Sequence, residues 1–234
     1  MPALAAGASI GAKRNLAISR ARGDVILHFD DDDVYAPAYA RLLARPLAAK
    51  AARIAKLSAW FVLDAKTGRV GYVDTDDAGK LAAAPQNVKY FLDRARTSYG
   101  FTLAYTKRLA LDCPFDDDLS LGEDAKFLID AADRGAAPAY LRDAAGVVLH
   151  VQHGENATKS VCLDSVNADF LRRSPLKTVL PAFREPIDDE GGGLFLYDVE
   201  LAAARSKDDF LARLLTFINT DEGHAADRSH KLGI

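Results

Sequence analysis

The stretch that decides the fold is VILHFDDDDVYAP, residues 25–37. Its first five residues are apolar or aromatic apart from one histidine, which is typical of a buried strand. Four consecutive aspartates, residues 30–33, follow at once, and Pro37 is favoured in the first turn of a helix. In α/β sheets ligands bind beyond the carboxyl ends of strands, so these aspartates stand where a binding site is expected.

Outward from this stretch the sequence alternates between helical and strand-like segments. We predict helices over residues 13–21 (with Gly23 near the cap), 37–44 (interrupted by Pro46), 88–96 and 124–133, and strands over 57–63, 69–73, 100–105 and 147–151. A tight turn at residues 64–68 joins two of these strands. The pattern predicts an α/β core over residues 1–160 and a mainly helical extension over residues 161–234.

Composition agrees with a globular protein of one α/β domain. Of the 234 residues 49% are apolar and 27% charged, and the net charge is −3, which favours neither nucleic acid nor a membrane surface as a partner. Cys113 and Cys162 form no disulfide framework. No apolar run reaches the roughly 18 to 20 residues of a membrane span, so we expect a soluble chain without a membrane segment.

The aspartate run is the sharpest chemical signal. Carboxylates this close repel one another unless a cation or solvent relieves the repulsion, and their hard oxygen atoms suit Mg²⁺ or Mn²⁺. The Asp-x-Asp spacing of Asp30 and Asp32 provides such ligands. For an isolated run a solvated acidic loop is the simpler interpretation, but its position after a strand favours a ligand role.

Two further motifs carry weaker signals. Glu123 and Asp124 open a predicted helix, where acidic residues commonly stabilise free backbone amides, although a carboxylate here is also a candidate general base. His150 and His153 are three residues apart, so an alternating strand would place them on opposite faces. We therefore expect that both do not serve one metal ion.

Two apparent motifs carry little weight. GASIG, residues 7–11, matches the nucleophile elbow of serine hydrolases, with Ser9 as nucleophile, but that motif requires a preceding strand and only six residues come before it. A serine hydrolase remains a remote alternative. DTDDAG, residues 74–79, imitates a calcium loop, but Ala78 replaces a ligand and Pro85 stands where glutamate is required.

Taken together, three blocks of the sequence resemble glycosyltransferase family 2, inverting enzymes that use nucleotide-sugar donors. The blocks are AKRNL with ARGD and the aspartate run (residues 12–37), FDDDLSLGED (residues 115–124) and HVQHGENAT (residues 150–158). The resemblance implies the GT-A fold: a Rossmann-like three-layer α/β/α sandwich with a mixed, mostly parallel sheet.

The resemblance also implies a role for each residue of the blocks. Asp124 would be the general base and Glu123 would bind the acceptor or support the base. The donor would be held by Lys13, Arg14, Asn15, Asp30 and Asp31, and a Mn²⁺ or Mg²⁺ ion by Asp32, Asp30 and His153. The implied partners are a UDP-sugar donor and a glycan, lipid, protein or small-molecule acceptor.

One departure from the family pattern concerns the N-terminus. Family members begin with a strand–helix–strand unit that contacts the nucleotide base, whereas the first block here starts by residue 12. We therefore expect an N-terminally truncated core, with a non-catalytic relative or an inactive fragment as the alternative to an active transferase. Localisation stays open, since both the cytoplasm and the Golgi are compatible with missing N-terminal residues.

Overall fold

The computed structural model describes residues 7–65, 67–84, 86–153, 156, 160–162, 164–166, 170, 173–178 and 195–196. The helices are α1 (Ile10–Arg20), α2 (Ala38–Ala48), α3 (Ala78–Ala83), α4 (Gln86–Thr97), α5 (Lys107–Asp112) and α6 (Glu123–Asp133). The strands are β1 (Val25–Leu27), β2 (Val34–Tyr35), β3 (Ile54–Asp64), β4 (Val70–Asp74), β5 (Leu103–Thr106), β6 (Ala139–Arg142), β7 (Val148–Gln152), β8 (Val161–Cys162), β9 (Asp164–Ser165) and β10 (Phe195–Leu196).

Strand β3 organises the main sheet, which contains β1 to β7 and β9 and is mixed and curled. Both edges of β3 are paired: Ala55 pairs with β5 and with β6, and Phe61 pairs with β4 and with β7. Strand β1 is joined to β3 through β5, whereas β2 is joined to it through β7. The acidic loop between β1 and β2 therefore links two separate parts of the sheet.

The α/β class is confirmed, but the prediction of a mostly parallel, Rossmann-like sheet is wrong for the described residues. Strand β3 is parallel to β6 and β7 only, and the pairs β1–β5, β2–β7, β3–β4, β3–β5 and β4–β9 are antiparallel. One cause was visible in the sequence, since the tight turn after β3 can join only antiparallel strands. The antiparallel run of β5 between β1 and β3 carries no such local signal.

Helix α2 continues through Pro46, where the sequence predicted an interruption. The proline lies in the last turn, and the helix ends two residues later at Ala48, where the next residue, Ala49, donates to the Arg45 carbonyl at 3.1 Å. Proline removes one intrahelical hydrogen bond, but three large side chains on this helix (Tyr39, Leu43 and Leu47) are buried in the core. Their burial outweighs the local cost.

The helices pack in two separate apolar clusters. Helices α2 and α4 contribute to one cluster, and α1, α5 and α6 contribute to the other. Successive residues of β5 belong to different clusters: Leu103 and Tyr105 to the second, and Ala104 to the first. Because strand side chains alternate in direction, the two clusters lie on opposite faces of the sheet at β5.

Beyond residue 160 the structure describes only short segments of the chain. The mainly helical extension predicted over residues 161–234 lies mostly outside the described residues, and the division at residue 160 stays a prediction. None of the helices in the described ranges combines the length and apolar character of a bilayer-spanning segment.

Lys56 is a buried lysine near the start of β3, with 1% of its surface exposed. Its ammonium group donates to the Thr102 hydroxyl at 2.6 Å and lies 5.7 Å from the centre of the Trp60 ring. Burial lowers the pKa of Lys56 to about 7, and the Asp124 charge offsets part of this effect. Above about pH 7 the amine of Lys56 has therefore lost its proton in the folded protein, whereas in the unfolded chain it keeps the proton until about pH 10.

We expect this difference to make stability rise with pH. Between pH 7.5 and 9.5 the unfolded state binds one more proton at Lys56, so the free energy of unfolding of the wild type should rise by about 1 kcal/mol per pH unit relative to Lys56→Met. Urea unfolding at several pH values measures this difference. Lys50→Met, at an exposed lysine, is the control. Parallel pH curves for the wild type and Lys56→Met would contradict the burial of a titrating amine.

Candidate functional site

The acidic loop is held in place by its neighbours on both sides. Tyr35 accepts a hydrogen bond from the Asp30 amide through its hydroxyl at 2.9 Å, and the Asp33 amide donates to the Asp30 carbonyl at 3.4 Å. After the loop, Val34 pairs with Leu149 in β7. This pairing places the loop beside the end of β7, where the two histidines of the third sequence block stand.

Three of the four aspartates form one cluster. Asp30, Asp32 and Asp33 each offer a carboxylate oxygen, and these oxygens lie within 4.8 Å of one another. Asp31 is exposed and stands outside the cluster. The pKa of Asp30 is raised to about 6, mainly because its carboxyl group is partly buried and next because the Asp33 charge is near. Asp30 nevertheless keeps substantial contact with solvent.

Asp33 is the buried member of this cluster. Its side chain has no exposed surface, and its Oδ1 atom accepts from the Val151 amide at 2.9 Å and lies 2.8 Å from His150 Nδ1. Its second oxygen, Oδ2, is buried without a hydrogen-bond partner. An unpartnered buried carboxylate oxygen is costly, and a water molecule or a cation can satisfy it.

The donor set fits a hard divalent cation. Carboxylate oxygens at close range are the ligands that Mg²⁺ and Mn²⁺ prefer, and Asp33 Oδ2 has no competing hydrogen bond. His153 Nε2 lies 3.0 Å from Asp32 Oδ2. This histidine is therefore placed either to orient the Asp32 carboxylate or to bind a cation itself. These residues are able to hold the implied metal ion.

The expectation that His150 and His153 do not both serve one metal ion stays a prediction, although both side chains lie at the acidic loop. His150 contacts Asp33 and His153 contacts Asp32, so both reach the same loop. Strand β7 ends at Gln152, and the alternation of a strand no longer applies to His153. Asn156 fixes the new direction, since it accepts from the His153 amide at 2.7 Å and donates to the Val151 carbonyl at 2.9 Å.

Arg14 connects the acidic loop with the start of α6. Its guanidinium lies 3.1 Å from Glu123 Oε1 and is close enough to Asp30 to oppose the rise in the pKa of that carboxyl. Gly100 makes room for it, because a Cβ atom there would stand 2.8 Å from Arg14 Nη2. The buried Nη1 atom has no hydrogen-bond partner.

The two acidic residues that open α6 are both buried, with Glu123 5% and Asp124 8% exposed. Burial, followed by the Asp124 charge, raises the pKa of Glu123, and Arg14 opposes this rise. Asp124 accepts a hydrogen bond from the Ala125 amide at 2.7 Å. The pair is thus more than a solvated helix start, although the general-base role of Asp124 stays a prediction.

His28 is a neutral ring that contacts Gly100 and Tyr105 next to the site. Its Nδ1 lies 3.0 Å from the Gly100 carbonyl, which can only accept, and its Nε2 lies 2.9 Å from the Tyr105 hydroxyl. The hydrogen is therefore on Nδ1. Burial, followed by the Arg14 charge, lowers the pKa of His28 to about 3. The end of β1 is thus tied to the same Gly100 that accommodates Arg14.

The remaining predicted donor residues differ in their surroundings. Lys13 is exposed on α1. Asn15 braces a loop, since its amide donates to the Phe115 carbonyl at 2.7 Å and to Asp117 Oδ1 at 2.8 Å, and its oxygen accepts from the Phe115 amide at 3.0 Å. Ser9 caps α1 by accepting from the Ala12 amide at 3.0 Å, and its hydroxyl donates to the Asp117 carbonyl. This serine is thus occupied in a structural role.

The sequence did not predict the contact between His150 and Asp33, and Asp33 was not among the residues expected at the metal site. The aspartate run itself pointed to Asp33, but only the pairing of β2 with β7 distinguishes it from its neighbours.

No protein-family model matches the sequence, and comparison with curated proteins finds no match.

Proposed function

We propose that this chain is a metal-dependent glycosyltransferase of the inverting type. The observation that carries the proposal is the cluster of Asp30, Asp32 and Asp33, in which one buried carboxylate oxygen lacks a partner. The proposal is supported further by the resemblance of three sequence blocks to glycosyltransferase family 2. We further propose that the curled α/β sheet belongs to the GT-A fold.

The proposed site divides the work between two groups of residues. Asp30, Asp32 and Asp33, with His153 beside them, hold a Mn²⁺ or Mg²⁺ ion, and Lys13, Arg14 and Asp31 lie on the donor side. The cation supplies charge stabilisation for the departing diphosphate. Glu123 and Asp124 face the acceptor from the start of α6.

The proposed reaction is one in-line displacement. Asp124 accepts the proton of the acceptor hydroxyl while that oxygen forms a bond to the anomeric carbon of the sugar. The bond from this carbon to the diphosphate oxygen breaks, and the nucleoside diphosphate leaves with the bonding electrons. Positioning by Glu123 and Arg14 contributes because correctly oriented reactants avoid much of the entropic barrier.

Titration of UDP into the purified protein tests the proposal. With Mn²⁺ we expect binding that EDTA abolishes, and we expect Asp32→Ala to weaken UDP binding by at least about tenfold, since it removes a charged ligand. Asp118→Ala, which removes an exposed carboxylate elsewhere, is the matched control. UDP affinity that is indifferent to Mn²⁺, or unchanged in Asp32→Ala, would rule out the metal site.

A further inference from the structure

Phe29 exposes its ring immediately before the acidic loop. Of its surface 56% is in contact with solvent, the largest fraction among the large apolar residues that the structure describes. The preceding residues 25–28 are all at least partly buried. Single exposed apolar residues are common on protein surfaces, so exposure alone assigns no role.

The ring of Phe29 packs against two tyrosine rings. Tyr35 and Tyr39 contact it edge-on, with ring centroids 4.8 Å and 5.2 Å away and interplanar angles of 61° and 72°. Tyr39 is itself fully buried, and its hydroxyl donates to the Phe101 carbonyl at 2.6 Å. A planar ring fixed before binding loses little conformational entropy when a ligand stacks on it.

The same contacts tie this ring to the acidic cluster. Tyr35 contacts the Phe29 ring and accepts from the Asp30 amide at 2.9 Å. Phe29 and Asp30 are consecutive, so their Cα atoms are about 3.8 Å apart. A ligand with phosphates at the cation and a flat aromatic group at its other end therefore meets both features together.

We propose that Phe29 is the stacking platform for the nucleobase of a nucleoside diphosphate whose phosphates lie at the Asp30–Asp32–Asp33 cluster. The proposal rests on the proposed function, because it assumes a cation and a diphosphate at the cluster. It adds the reason why a nucleotide, rather than inorganic phosphate, is the ligand. Stacking on an aromatic ring tolerates any base, so uridine is not required by this contact.

Two ligands separate stacking from metal binding. UDP and inorganic pyrophosphate are each titrated, with Mn²⁺ present, into the wild type, Phe29→Ala, Phe29→Tyr and the control Leu111→Ala, which removes another exposed apolar side chain. We expect Phe29→Ala to weaken UDP binding by at least about fivefold and to change pyrophosphate binding less than twofold. Phe29→Tyr and Leu111→Ala should bind both ligands as the wild type does.

The other outcomes are equally distinct. Unchanged UDP affinity in Phe29→Ala would overturn the stacking role and leave the proposed function intact. An equal loss for UDP and pyrophosphate would show that the ring only supports the acidic loop, which also overturns it. If the folded wild type binds neither ligand with Mn²⁺, the proposed function itself fails and the stacking role fails with it.

Discussion

Gly11→Ala is expected to lower the free energy of unfolding by about 3 kcal/mol, the upper range for inserting one methyl group into a packed site. A Cβ atom at this position would stand 1.8 Å from the Asp116 carbonyl oxygen and 2.9 Å from its carbon. Both are backbone atoms, so no side-chain rotation relieves the clash. Urea unfolding measures the loss.

The position of Gly11 gives this substitution a second consequence. Its amide donates to the Leu119 carbonyl at 2.9 Å, and α1 also carries Arg14, which pairs with Glu123. Separating α1 from the loop over residues 115–121 should therefore disturb the candidate site as well. Gly79→Ala is the control, because its nearest contact, Asp77 Oδ1, is 3.5 Å away. Equal stability of Gly11→Ala and the wild type would contradict this backbone contact.

The second large effect is expected for Asp33→Asn. The amide oxygen can still accept from Val151 and face His150, but an NH₂ group replaces the unpartnered Oδ2. If that oxygen holds the cation, Mn²⁺ affinity should fall by on the order of 10- to 100-fold, and the melting temperature without metal should not fall, because one of several crowded charges is removed.

Titration with Mn²⁺ alone makes this comparison independent of any nucleotide. Asp31→Asn is the matched control, since it removes the same charge from the same loop at a residue outside the cluster. We expect its Mn²⁺ affinity to stay within about threefold of the wild type. Similar losses in Asp31→Asn and Asp33→Asn would indicate a diffuse charge effect rather than ligation.

Local patterns predicted the elements that depend on local physics. Helix α6 matches the helix predicted over residues 124–133, and the β3–β4 hairpin was expected from the tight turn at residues 64–68. The course of α2 past Pro46 was not predicted, because the burial of Tyr39, Leu43 and Leu47 is a tertiary effect.

The candidate site was predictable in its residue types but not in its arrangement. Four aspartates after a strand indicated a cation site, and the structure brings three of them together. Which three depends on the pairing of β2 with β7 across more than one hundred residues, and single-sequence periodicity contains no information on such pairings. The contact of His153 with Asp32, 121 residues away in the sequence, was hidden for the same reason.

The unequal pairing of the strands suggests an order of local opening. Amides of β3, which has neighbours on both edges, should exchange with deuterium only on global unfolding, whereas β1 pairs with β5 alone among the described residues. Fraying of β1 would release the aspartate loop while the sheet around β3 stays folded. Ligation at the loop would then suppress a sub-global fluctuation, and its signature would be amide protection confined to β1, the loop and β2.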